Sequence, residues 1–345
     1  MLRLILAAAL ALLAPSARAE TDHRAVATRI LEAVILPGSD AFADAAARLA
    51  DAAAAECAEV DAAVLRERFH LAWDAWMAIQ HFRFGPLQEG DRAFAIAFWP
   101  DERGATGRTV ARVLKAQDPA VDDPAAFAEL PVSTRGFFAL ERLLWDDTGS
   151  AAPIDDYQCR YVAAGAADLS RLGAEIAARW RDPWAETVTT AGEPGNVTFL
   201  AASEVTQRLL AVMLAALAET RKDRIATPLG SFDRPRPRLA EAWRSGRSLR
   251  QIRLLLEAVE ATVRRGFMPE LSPARAEALD AAFRDVFARL ATAEEAAPLS
   301  EAVAGQGRIR VEALGQAVAR LEVAVRDGLG PDLGITQGFN AADGD

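Results

Sequence analysis

Residues 131–147 read PVSTRGFFALERLLWDD, and this stretch decides the fold. Taken as a helix from about Ser133, a 100° step per residue gathers Phe137, Phe138, Leu140, Leu144 and Trp145 on one broad apolar arc. Arg135, Ala139, Arg142 and Asp146 fall on the narrow remaining edge. Glu141 does not join them. It projects between Leu144 and Trp145, inside the apolar arc, where an ionised carboxylate is costly unless something pairs with it.

The chain before this helix supplies an expected partner. Residues 22–65 are Ala-rich with helical spacing and read as two helices broken at Pro37-Gly38. From Val64 the pattern strengthens: Leu65, Phe69, Ala72, Trp73, Trp76 and Phe84 share one face, and Gly85-Pro86 ends the helix. Gln80 and Arg83 lie on that same tryptophan face. Arginine's planar fork suits a carboxylate better than any other side chain, so Arg83 is expected to pair with Glu141. Gln80 and the turn from Trp99 to Asp101 are expected nearby, lining a pocket. His70, Asp74 and His81 form the chain's only metal-like spacing, but the stripe lies away from the tryptophans and reads as a solvated helix edge.

After it, Thr106–Gln117 and Tyr157–Trp180 read as helices, and Asp182-Pro183 ends the second. Residues 187–195, rich in Thr, Gly and Pro without periodicity, mark a domain boundary. A second helical set follows at Val197–Arg221, Ser248–Arg265, Pro273–Ala293 and Leu299–Gly328. Between its first two members Arg234-Pro-Arg-Pro-Arg238 reads as a solvated, proline-stiffened linker. No stretch alternates as a strand would. The chain is expected to be all-α, two helical-bundle domains packed side by side, at residues 20–190 and 196–338. The tail at 339–345 carries Asn340, Asp343 and Asp345, too few oxygens for a calcium loop, and reads as a docked terminus.

The first residues place Arg3 before the apolar run Leu4–Ala14, then Pro15 and Ala17-Arg18-Ala19. This is the pattern of a cleaved secretory leader at residues 1–19, cut after Ala19, and it implies a periplasmic location. The run is too short to span a bilayer, and no later segment reaches the ~20 apolar residues needed. A net charge of −10, more negative once Arg3 and Arg18 leave with the leader, excludes nucleic acid as a natural partner. The two cysteines, Cys57 and Cys159, are expected to form a disulfide in that compartment, the alternative being two buried thiols. Closing a loop of ~100 residues adds up to roughly 4.7 kcal/mol in the chain-entropy view.

The central stretch also carries a family resemblance. Gly136, Phe138 and Glu141 occupy the positions of the Gly-x-His-x-x-Glu motif of the imelysin family, whose members read close to G-F-H-A-L-E-F-L-L-W where this chain has G-F-F-A-L-E-R-L-L-W. The histidine is replaced by Phe138. FRFGPLQEGDR at 82–92, FWPD at 98–101, ATPLG at 226–230, SGRSLRQI at 245–252 and LGITQGFNAADGD from Leu333 resemble the family in the same order. The resemblance implies two bundle domains with a functional site near their interface, and a role in iron uptake.

Three functions follow as expectations. A metal-dependent peptidase, the family's historical label, is disfavoured: catalytic zinc takes three protein ligands plus water, and the motif offers only Glu141. No HExxH, G-x-S-x-G or nucleophilic cysteine replaces it. The favoured reading is a non-catalytic periplasmic binding protein tied to iron uptake, with a pocket beside Glu141 and either a small ligand or a periplasmic or outer-membrane uptake partner. No cofactor is expected: the motif does not support iron or another divalent metal, so any ligand is either not a metal or is held elsewhere. The third is a purely structural protein in which the Arg83–Glu141 pair fixes helix packing.

Overall fold

The structure is a computed structural model that describes residues 21–56, 62–152 and 154–335. The expected leader, Cys57 and the 339–345 tail lie outside the described residues. The chain begins with α1 (His23–Ile30), α2 (Leu36–Glu56), α3 (Ala62–Ile79) and α4 (Arg92–Ile96), then α5 (Ala105–Ala116), α6 (Pro124–Ala128), α7 (Gly136–Leu144), α8 (Asp156–Arg179) and α9 (Ala185–Thr189). It continues through α10 (Ala202–Glu219), α11 (Thr227–Leu229), α12 (Ser248–Thr262), α13 (Pro273–Glu294), α14 (Leu299–Ala302) and α15 (Arg308–Leu329). Among the described residues there is no strand, only isolated bridges at Trp145–Ala151 and Ser231–Arg234. The fold is all-α.

Local chemistry sets the ends of these helices. Asp155 and Gln158 form a reciprocal capping box that starts α8, satisfying donors that a helix N-terminus otherwise leaves bare. Asp123 caps α6 directly ahead of Pro124, where a missing N–H costs nothing.

The expected break at Pro37-Gly38 does not occur. The chain instead runs from α1 through a π-helical turn, Leu31–Ile35, into α2. Proline cannot donate to the carbonyl four residues back, and here that carbonyl, Ala33 O, accepts from Arg265 Nη1 at 2.6 Å. Similar π-helical turns extend α10 (Thr220–Ala226) and α12 (Val263–Phe267), whereas after α8 the chain kinks at Asp182, φ −150° and ψ 120°, ahead of Pro183, as expected.

Helix α2 lies between α3 and α8, and α7 packs on α8. Their shared core is aromatic: the Phe137 ring stacks on Trp73 at 5.2 Å and 7°, with Phe42, Phe69 and Trp76 packed around the pair. Burying each such ring contributes roughly 1.5–3 kcal/mol. In the second half α15 packs on α10 and α13. The halves meet where α12 lies on α3 and α1 on α10, and buried apolar residues form one continuous cluster through both. Cys159 is buried on α8, and no cysteine among the described residues is free.

The central helix starts three residues later than its periodicity predicts. Residues Val132–Thr134 make a 3₁₀ turn, Arg135 is extended, and Gly136 opens α7 with φ +69°. The delay has a steric cause. Gly136 sits against the chain end of α4, where an added Cβ would lie 2.2 Å from Ile96 O and 2.4 Å from Ala95 O. A left-handed conformation costs a residue with a Cβ roughly 1–2 kcal/mol before any clash. Gly136→Ala is therefore expected to lower stability by at least about 2 kcal/mol, measured as a shift of the urea midpoint at unchanged slope.

Candidate functional site

Where the halves meet, a cavity of about 450 Å³ opens between the 99–107 segment and α7 on one side and the 227–244 segment on the other. Four of the expected site residues line it: Trp99, Asp101, Phe138 and Glu141. Gly136 does not, and acts through backbone packing beneath α7. Gln80 and Arg83 line a second cavity of about 190 Å³, together with Glu219 and Arg224.

Glu141 is 2% exposed, as its place in the apolar arc predicts, but its partner is not Arg83. Glu141 Oε1 accepts from Ser245 N at 2.9 Å and from Ser245 Oγ at 2.6 Å, while Oε2 has no donor among the described residues. Burial pushes this carboxyl above its ordinary value, against the opposing pull of the Ser245 bonds and Arg244. Arg83 instead sits 3.8 Å from Glu219 and 5.9 Å from the Phe94 ring. The expectation failed because α3 ends at Ile79. Residues 80–84 leave the helix, so the 100° step that placed Arg83 beside Trp73 and Trp76 does not reach it.

The arginine that does enter the interior is Arg224, in the π-helical turn after α10. It is 2% exposed. Its Nε and Nη2 fork onto Glu241 at 2.6 and 3.2 Å, Nη1 reaches Glu219 at 2.9 Å, Nη2 reaches Gln80 Oε1 at 3.3 Å, and the guanidinium lies 4.8 Å over the Trp99 ring. Burial opposes its charge, but the two carboxylates outweigh that and hold it more firmly protonated. Arg224 thus links the two cavities, touching Gln80 on one side and Trp99 on the other.

Asp101 has a structural task at the cavity. Its two oxygens accept from Ala105 N at 2.7 Å and Thr106 N at 2.8 Å, satisfying the first turn of α5. Arg142 and Arg244 reach the same space, as do Thr106 and Arg238. The periodicity reading placed Arg142 on a helix edge and Arg238 in a solvated linker. What it lacked was the fold of the 234–244 segment, which carries Arg238 and Arg244 back over α7.

The His70, Asp74 and His81 stripe is not a solvated edge. It faces α12 across the seam: Asp74 pairs with Arg247 and Arg250, and His81 Nε2 meets Thr262 Oγ1 at 3.3 Å. His70 stacks on Trp145 at 5.0 Å. Burial, joined by Arg247, pushes His70 down to about 4, and burial pushes His81 down to about 3.

A metal at the motif is poorly served by these donors. Phe138 offers no lone pair, Glu141 is engaged by Ser245, and Asp101 is used at both oxygens. Among the described residues no group of three or more His, Cys, Asp or Glu side chains gathers to hold an ion. The residues do not fit the metal that the family motif implies.

An all-α molecule in two packed halves, with a buried glutamate facing a cavity in the seam, defines the class. The family model for imelysin matches residues 35–325, and the chain belongs to the imelysin family. Two solved structures share the fold with TM-scores of 0.74. One is an imelysin-like protein from Psychrobacter arcticum, 19% identical, the match covering 92% of this chain and 97% of that one. The other is assigned as an iron-regulated protein A precursor from Parabacteroides distasonis, 15% identical over the same shares. No curated protein matches the chain. No helix among the described residues is long and apolar enough to cross a membrane.

The raised Glu141 carboxyl sets a pH dependence. A group whose folded value lies above its unfolded one contributes stability that is complete below the unfolded value and is lost as pH rises through the folded one. Glu141→Gln keeps an acceptor for Ser245 without an ionisable proton. It is expected to melt higher than the wild type at neutral pH, the gain vanishing below the ordinary carboxyl value of 4.5; an equal difference at both pH values argues against a raised carboxyl. For the second network, Arg224→Met alone is expected to cost roughly 3–5 kcal/mol, because it leaves Glu241 buried and unpaired, and Glu241→Leu alone to cost less, because Arg224 keeps Glu219 at 2.9 Å. The double variant recovers much of that loss, read by a double-mutant cycle in urea.

Proposed function

We infer that this protein is an exported, non-catalytic binding protein that holds a small ligand in the cavity beside Glu141 and serves iron uptake. The carrying observation is the cavity itself. At about 450 Å³ it has the size of a small-molecule site, it lies where two helical halves meet, and it exposes polar groups that the protein leaves unused. The iron link rests on the imelysin family and on the Parabacteroides neighbour assigned as an iron-regulated protein A precursor. In this reading residues 20–190 and 196–338 are two domains clasping the ligand, the leader is removed after Ala19 in transit to the periplasm, and Cys57 bridges Cys159. Peptidase chemistry has no nucleophile or metal-ligand set at the cavity to support it.

Protein purified from its native periplasm, denatured and extracted, is expected to release a stoichiometric small molecule detectable by mass spectrometry. Leu239→Trp, which narrows the cavity from its half-buried wall, should lose it while keeping the wild-type melting temperature. Absence of any ligand from both proteins defeats the reading. The intact mass of the same preparation is expected to match a chain starting at Glu20 and lighter by two hydrogens, as the disulfide requires.

A further inference from the structure

We propose that the cavity beside Glu141 recognises an oxyanion, a carboxylate or phosphate carried by the ligand, through Arg142, Arg238 and Arg244 with the Thr106 hydroxyl. The proposal rests on the binding-protein reading above and adds the ligand's chemical class.

Arg142 is the first ground. It is half-buried at the cavity wall, with its guanidinium packed over Gly107, where an added Cβ would come within 3.1 Å of Nη2. It makes no hydrogen bond or ion pair with any described residue. Burial first and then the nearby Arg244 work against its charge, and they outweigh the support that Asp147, Glu141 and Asp101 give it from a distance. An arginine carries five N–H donors and is almost never left in a partly desolvated place without an acceptor.

The other basic groups converge on the same space. Arg238 and Arg244 lie over one indole, Trp243, at 5.5 and 4.1 Å, bringing two like charges together. Arg244 has an exposed partner in Asp147 at 2.8 Å; Arg238 has no ion pair among the described residues. Thr106 supplies an independent sign. It is 5% exposed, lines the cavity, and its Oγ1 is a buried polar atom with no hydrogen-bond partner. A hydroxyl donor and three guanidinium groups around one space form an anion receptor, because planar forks match carboxylate and phosphate oxygens two at a time.

The cavity's acids do not cancel it. Asp101 is consumed by the N-terminus of α5, Glu102 is exposed, and burial favours the neutral form of Glu141. The apolar wall of Trp99, Phe138 and Ala240 gives an organic body somewhere to lie, so a carboxylate on a carbon skeleton suits the space as well as the charge.

The test is isothermal titration of the mature full-length protein with citrate, with inorganic phosphate and with glucose as a neutral control, at low and raised salt. The expected result is binding of an oxyanion that salt weakens, with Arg142→Gln and Arg238→Gln each reducing affinity roughly tenfold or more and Thr106→Val reducing it less. Citrate alone binding points to a carboxylate, and phosphate alone to a phosphate. Melting of the ligand-free variants separates recognition from folding: Arg142→Gln is expected to melt no lower than the wild type, since its charge has no partner to lose. Arg238, exposed on a loop, provides the same reading if Arg142→Gln misfolds. Affinity unchanged in both arginine variants, or failure of both oxyanions to bind, overturns the proposal. If a neutral molecule is then recovered from the native protein, the binding reading stands without it; if none is recovered, both fall.

Discussion

The seam between the two halves depends on one buried cation. Arg224 reaches from the second half to Glu241 and Glu219 within its own half and to Gln80 of the first, and it stacks on Trp99, also of the first. A guanidinium in such a place is tolerable only when its donors are occupied. Shifting one half against the other would strip Gln80 and Trp99 from it. The network therefore adds directional contacts that fix register across the seam beside the continuous apolar packing. The cavity walls come from both halves, so their spacing follows from that register.

A second clasp acts at another part of the seam. The π-helical turns Leu31–Ile35 and Val263–Phe267 lie beside the seam, and an arginine crosses it in each direction, Arg29 from the end of α1 and Arg265 from the second turn. Arg29 Nη2 bonds Gly266 O at 3.0 Å, and Arg265 Nη1 bonds Ala33 O at 2.6 Å. Ala33 O is open because Pro37, four residues on, has no N–H to give it. Both carbonyls accept inter-half hydrogen bonds, which gives the irregular turns a role in assembly.

The all-α class, most helix positions and the burial of Glu141 were legible in the sequence, because each is a periodic property of a continuous helix. α5 and α8 fall within a residue of their expected limits for this reason. The failures cluster where helices stop. Arg83 was misplaced because α3 ends before it, and α7 begins late because Gly136 must meet Ile96. Pro37 reads as a break in one dimension, yet Arg265, distant in sequence, takes the carbonyl it leaves. The partner of Glu141 was beyond reach for another reason. Ser245 uses its backbone N–H, a group every residue but proline has, and no residue type announces it. SGRSLRQI at 245–252 carries the family resemblance but nothing that marks Ser245 as a partner for a carboxylate. Arg142, Arg238 and Arg244 were three among many arginines until the 234–244 segment folded over α7.

Phe138 has the most consequence for chemistry. Its ring lies edge-on to Trp73 at 5.1 Å, so the position at which the family motif places an imidazole is tied to the aromatic core and also lines the cavity. Replacing a lone-pair donor with an apolar ring removes an acceptor from the wall. The acceptors left nearby are largely committed, Asp101 to α5 and Glu141 Oε1 to Ser245, whereas the donors are not: Arg142, Arg238 and Thr106 Oγ1 have none of their bonds made by described residues. A space that ligates a cation needs converging lone pairs, and one that holds an anion needs converging N–H and O–H groups. The loss of the histidine and the surplus of donors therefore point the same way.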